Sequence, residues 1–121
     1  MLEKRMEDKR MEDKKIDVLG TEYTIVKNEE LNDADGNCDH TIKVVRICKT
    51  LYDRLEKPVP GHVVDTQSHI DAILRHELIH ALANESGLQG CSPLRDEIVV
   101  DWIAIMYPKM KKIFKKLDIE N

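Results

Sequence analysis

The stretch RHELIHAL, residues 75–82, limits what this chain can fold into more than any other segment. It sets two histidines and a glutamate within five positions of an apolar run. The apolar residues around it, Ile70, Ile73, Leu74, Leu78, Ile79 and Leu82, recur at helical rather than strand spacing, which predicts a helix. Ser68 with Asp71 has the form of a capping box at its start, and Gly87 suits its C-terminal end. On such a helix His76 and His80 are i and i+4, so both imidazoles leave one face a turn apart and can meet a single ion. Glu77 lies beside them, within reach of a water held near that ion. Left without partners, these groups would cost stability among leucines and isoleucines, so the pattern requires a complement elsewhere in the chain.

Zinc needs a third protein ligand beyond two histidines. His69 is excluded by geometry, because seven residues upstream on the same helix puts it ~10 Å along the axis from His76. His40 and His62 lie in loop-like sequence and stay open as alternatives. The stronger candidate comes from DEIVVDWIA, where Glu97 and Asp101 are i and i+4 on an otherwise apolar helical segment. Glu97 is expected as the third ligand. Asp101 is expected behind it, accepting a hydrogen bond from the ring nitrogen of His76 and fixing its tautomer. Asp96 is a reserve ligand, although its position at the helix start suits a charge role there.

The rest of the chain reads as a small α+β domain. KIDVLGTEYTIVK predicts a hairpin with strands near residues 15–19 and 22–28, turning at Gly20 and Thr21. TIKVVRIC, residues 41–48, predicts a third strand, giving a three-stranded antiparallel sheet packed on the HExxH helix and the second ligand-bearing helix. The proline- and glycine-containing LEKPVPG marks a break before the helices. Pro108 is expected to interrupt the second helix, leaving KMKKIFKKL as a short basic amphipathic helix packed on the domain through Met110, Ile113, Phe114 and Leu117. Residues 1–14, with KRMED twice in succession, read as a charged leader, and residues 15–121 as the single domain.

Several function classes drop out. The net charge is -4, and one Phe, one Trp and three Tyr make no stacking platform, so nucleic acid is not expected as a partner. Three widely spaced cysteines without a CxxC pair form neither a disulfide framework nor a four-cysteine zinc site, which fits a reducing cytoplasm. The N-terminus lacks the apolar core of a secretory signal, and no apolar run approaches the ~18 residues of a membrane span, so no membrane partner is expected, and the basic tail is expected to pack on the domain rather than on a membrane. DADGNCD begins like a calcium loop, but Cys38 stands where the loop glycine belongs and Val44 where the bidentate acid belongs, so an Asx-rich turn is expected. Cys38 could approach zinc as a fourth ligand, or serve as a half-buried structural thiol.

HELIH followed by EIVVD resembles the gluzincin pattern of zinc metallopeptidases, HExxH with a downstream ExxxD. The gap of sixteen residues between His80 and Glu97 resembles the small members called minigluzincins. LGTEYTIV, DGNCD, HALANESGL and VVDWIA are also similar to small uncharacterised phage and prophage HExxH proteins, over about residues 15–115. The resemblance implies Zn2+ held by His76, His80 and Glu97, with Glu77 as general base in peptide hydrolysis and Asp101 in support. It implies a cytoplasmic, phage- or prophage-encoded enzyme whose protein or peptide substrate pairs with an edge strand, expected at 41–48. Larger gluzincins stabilise the oxyanion with a histidine or tyrosine from a further subdomain; here Tyr107, Tyr52 and His62 are the candidates. The alternative expectation is a non-catalytic domain in which zinc staples two helices and the protein works by binding a partner.

Overall fold

The computed structural model describes residues 12–57, 66–88, 90 and 92–121, which leaves His62, Cys91 and most of the charged leader outside it. Strands β1 (Lys14–Val18) and β2 (Thr21–Val26) form the expected hairpin, with Val18 opposite Thr21. The two-residue loop is Leu19–Gly20, both at positive φ (53° and 95°), as the right-handed twist of a tight hairpin demands. Asp17 Oδ1 accepts from the Gly20 N–H at 2.6 Å and closes the turn.

The sheet departs from expectation beyond this hairpin. Among the described residues it has four strands in the order β1-β2-β4-β3, with β3 at Gly36–Asp39 and β4 at Val44–Ile47. β4 runs parallel to β2 and antiparallel to β3, so the sheet is mixed rather than a three-stranded antiparallel one. The extra strand comes from the DADGNCD stretch that reads as a turn. Its four residues have little β-propensity and are held by pairing with β4, an interaction their own sequence does not announce. The segment expected as the free edge, 41–48, is therefore interior, and β3 is an edge instead.

One face of the sheet is covered by helix. Tyr23 and Ile25 of β2 and Val45 and Ile47 of β4 alternate inward at period two and are fully or nearly buried. Helix α1 (Lys49–Glu56), which the sequence reading passed over, buries Leu51 and Tyr52 against Ile47 and Ile70. Helix α2 (Thr66–Glu85) carries the HExxH residues and packs Ile70, Ala81 and Leu78 on the sheet. It starts before Ser68, so Asp71 is no cap partner and instead accepts from Gln67 Nε2 at 2.8 Å. Its end is a Schellman motif: Gly87 takes φ +80°, Leu88 N–H donates to Ala83 O at 2.8 Å, and Gly87 N–H to Asn84 O at 3.3 Å.

A short turn α3 (Ser92–Arg95) leads into α4 (Glu97–Lys116), whose N-cap Asp96 accepts from Ile98 N–H at 2.9 Å. This helix runs through Pro108 without the expected break. Proline removes the N–H that would bond the carbonyl of Ala104, four residues earlier, and that carbonyl instead accepts from Arg75 Nε of α2 at 2.7 Å. The orphan created by Pro108 thus becomes a tie between the two site-bearing helices. A second departure follows along the same helix. Ile113, Phe114 and Leu117 are 58%, 42% and 66% exposed and do not pack on the domain. Among the described residues no helix is long and apolar enough to cross a membrane.

Candidate metal centre

The site is assembled by α2 and the first turn of α4. His76 Nε2 and His80 Nε2 are 3.3 Å apart, with rings at 67° to each other. Glu97, although its side chain is 68% exposed, turns toward both: Oε2 is 2.6 Å from His76 Nε2, and Oε1 is 3.0 Å from His80 Nε2. One donor atom each from His76, Glu77 and His80 also falls within 4.8 Å of the others. Asp101, one turn along α4 from Glu97, has Oδ1 3.4 Å from His76 Nδ1, the ring nitrogen that faces away from the cluster. The sequence-predicted residues His76, Glu77, His80, Glu97 and Asp101 are therefore brought together on two helices. Asp96 is spent as the N-cap, and His69 lies apart, with Nε2 3.4 Å from Asp35.

The donor set can be tested against zinc by simple geometry. Zinc–nitrogen bonds of ~2.0–2.1 Å in a tetrahedron put neighbouring ligand atoms ~3.3 Å apart. The His76–His80 separation of 3.3 Å meets that edge, and the His80 separations from Glu97, 3.0 and 3.3 Å, are close to it. The 2.6 Å His76–Glu97 contact is shorter and corresponds to a direct charge-assisted hydrogen bond. Since Glu97 is exposed, a small side-chain rotation relaxes it. Two imidazoles and one carboxylate are a borderline-soft set that suits zinc over the hard cations. The residues fit the ion.

Electrostatics sort the two glutamates. Burial pushes the Glu77 carboxyl above its usual range, only partly offset by His76 and His80. For Glu97 burial acts the same way, but hydrogen bonding and charge from His80 and His76 win, holding it below the ordinary value. The exposed acid is thus the stronger anion and the buried one the readier proton acceptor.

An open cleft of about 360 Å³ lies over these groups, lined by Gly36, Asn37, Cys38 and His40 on the strand side and by Glu77, His80 and Glu97 on the helix side. Cys38 Sγ is 3.7 Å from His40 Nδ1. Burial, reinforced by the charges of Glu77 and Asp39, pushes the Cys38 thiol up to about 12, so it stands in the cleft as a neutral S–H. Burial and the nearby His80 and Lys43 lower His40. Neither Tyr52, which is buried in the core, nor Tyr107, on the exposed side of α4, lines this cleft.

Three further residues that position the site escaped the sequence reading. A Cβ on Gly36 would come 2.8 Å from Ile73 Cγ2, 3.0 Å from Arg46 O and 3.3 Å from Glu77 Cγ, so only glycine lets β3 approach α2 this closely beside the proposed base. Arg75 ties α4 to α2. Glu85, at the end of α2, accepts from Thr21 Oγ1 at 2.6 Å, Tyr23 Oη at 2.7 Å and Lys43 Nζ at 3.0 Å, which fastens the helix to β2 and to the entry of β4. A signal existed only for Gly36, in the unusual DGNC context. No known protein family, curated protein or solved structure matches this chain.

Proposed function

We propose that the protein is a zinc-dependent peptidase that hydrolyses peptide bonds in a protein or peptide substrate. The observation that carries this reading is the meeting of His76, His80 and Glu97 around one point, with the buried Glu77 carboxylate beside it. Bound there, zinc supplies a Lewis acid for a carbonyl oxygen and brings the pKa of water toward neutrality. Glu77 accepts a proton from the attacking water and returns it to the leaving amine nitrogen. Asp101, with Oδ1 3.4 Å from His76 Nδ1, puts its charge where it favours the tautomer that directs Nε2 at the cluster. β3 borders the cleft and, among the described residues, pairs only with β4, so its outer edge offers main-chain groups to an extended peptide.

A second reading keeps zinc as a staple between α2 and α4 without turnover. It draws support from the position of Tyr52 and Tyr107 away from the cleft. One set of variants decides. Metal analysis of the purified chain is expected to give one zinc, lost in His80→Ala and Glu97→Ala and retained in Glu77→Gln. Cleavage of a mixed peptide library is expected for the parent and not for Glu77→Gln. A parent that takes up no zinc refutes both readings, and one that binds zinc but cleaves nothing leaves only the staple.

A further inference from the structure

The C-terminal half of α4 extends past the core, and among the described residues neither of its chemical faces is covered. With ~100° between successive residues, Met110, Ile113, Phe114 and Leu117 fall within an arc of ~100°, and Lys109, Lys111, Lys112, Lys115 and Lys116 within an opposing arc of ~160°. All five lysines are exposed, and among the described residues none is in an ion pair. No Asp or Glu occurs between Asp101 and Asp118, in a chain whose net charge is -4, so the rest of the molecule is acidic and this end is its cationic pole. Lys109 and Lys111 border the apolar arc on its two sides.

We propose that this segment docks on an anionic membrane surface, lying in the plane of the lipid headgroups. The apolar arc enters the boundary of the acyl chains, and the flanking lysines reach outward along their stems to the phosphates. Trp102, 55% exposed on the same helix, sits close to the edge of the arc, where an indole favours the interface. A second copy is a poorer occupant. Nine residues of helix offer a strip ~14 Å long and ~10 Å wide, far below the ~800 Å² per partner of a standard interface, and pairing would bring lysine rows together. Nucleic acid would use the lysines but leave Ile113 and Leu117 in water. The proposal does not depend on the metal centre, since Ile113 lies ~24 Å along α4 from Glu97.

The test uses the full chain and phosphatidylcholine vesicles with and without phosphatidylserine, read by co-sedimentation and by the emission of Trp102, the single tryptophan. Binding is expected only with the anionic lipid, with a blue shift, and it should fall away between about 0.05 and about 0.5 M salt. Lys109→Gln/Lys111→Gln, which removes the two lysines beside the apolar arc, should lower partitioning ~30-fold, following the ~1 kcal/mol each lysine contributes near such a surface. Ile113→Ser/Phe114→Ser should also weaken it, with unchanged far-UV dichroism and zinc content in both variants. Three results overturn the proposal: no preference for anionic vesicles at low salt; a lipid-free dimer that Ile113→Ser/Phe114→Ser abolishes; or duplex DNA binding tighter than vesicle binding and indifferent to that substitution.

Discussion

Arg75 and Pro108 form a pair whose interaction can be measured by a double-mutant cycle. Pro108 has no N–H to give the Ala104 carbonyl, and Arg75 Nε supplies the missing donor at 2.7 Å from the other helix. Arg75→Met keeps the stem of the side chain but removes the donor, leaving a carbonyl of the buried Ala104 unsatisfied. A hydrogen bond to a charged donor contributes ~1.5–3 kcal/mol, and Arg75 is only half-buried, so a loss near the lower end, ~2 kcal/mol, is expected. Pro108→Ala restores the backbone N–H, and the carbonyl then has a partner within its own helix. In that background Arg75→Met should cost ~1 kcal/mol or less, a coupling of ~1 kcal/mol. The assay is urea unfolding of the four proteins in chelator, with the midpoint and slope fitted together. Additivity within ~0.4 kcal/mol would refute the account of how α4 passes through its proline.

Gly36→Ala should destabilise the domain by ~1–2 kcal/mol, since the clash with Ile73 and Arg46 outweighs the small gain from a less flexible unfolded chain; Gly90→Ala, with nothing within 4 Å of its added Cβ, is the neutral control in the same melting experiment. Asp101→Asn should weaken zinc binding ~10–100-fold without abolishing it, as competition with a chromophoric chelator would reveal. Glu85 sits at about 2 in the fold, drawn down from 4.5 by hydrogen bonds from Thr21, Tyr23 and Lys43, so its contribution is intact above its unfolded value and is lost as pH falls from about 4.5 toward about 2. Acid unfolding of Glu85→Gln should lack that part of the pH dependence, and an unchanged acid limb would exclude Glu85 as its source.

The parts of this molecule that are legible in its sequence are those whose cause is local. The i, i+4 spacing of His76 and His80, and of Glu97 and Asp101, predicts which side chains share a helix face, and the fold joins the two faces. Gly20 announces the hairpin, but the loop is Leu19–Gly20 and not the expected Gly20–Thr21, because Leu19 is drawn into a positive φ that nothing in its side chain signals. What escapes is nonlocal. β3 is a strand because β4 lies beside it, and the polar Gly36–Asp39 carries no period-two signal of its own. The break expected at Pro108 fails because Arg75, thirty-three positions away, replaces the missing donor. Helix α1 is only eight residues long, too short for its apolar spacing to separate a helix from the expected strand beside it. Glu85 looks like one more surface acid until Thr21, Tyr23 and Lys43 converge on it.

The proposed metal site divides between a part that is set in place and a part that must be delivered. His76 and His80 project from a helix bedded on the sheet through Ile70 and Ala81 and anchored at its end by Glu85. Glu97 arrives from α4, whose tie to α2 includes the single Arg75–Ala104 bond, and its carboxylate is mostly in water. An ion that needs all three donors therefore favours the docked arrangement of α4, and its binding energy appears as stability: at a hundred times its dissociation constant it adds ~2.7 kcal/mol. Glu77→Gln should keep that increment and Glu97→Ala should lose it, so thermal shift with added zinc distinguishes a ligand from a base even before a substrate is known. Equal zinc-induced shifts in the two variants would mean that Glu97 holds nothing.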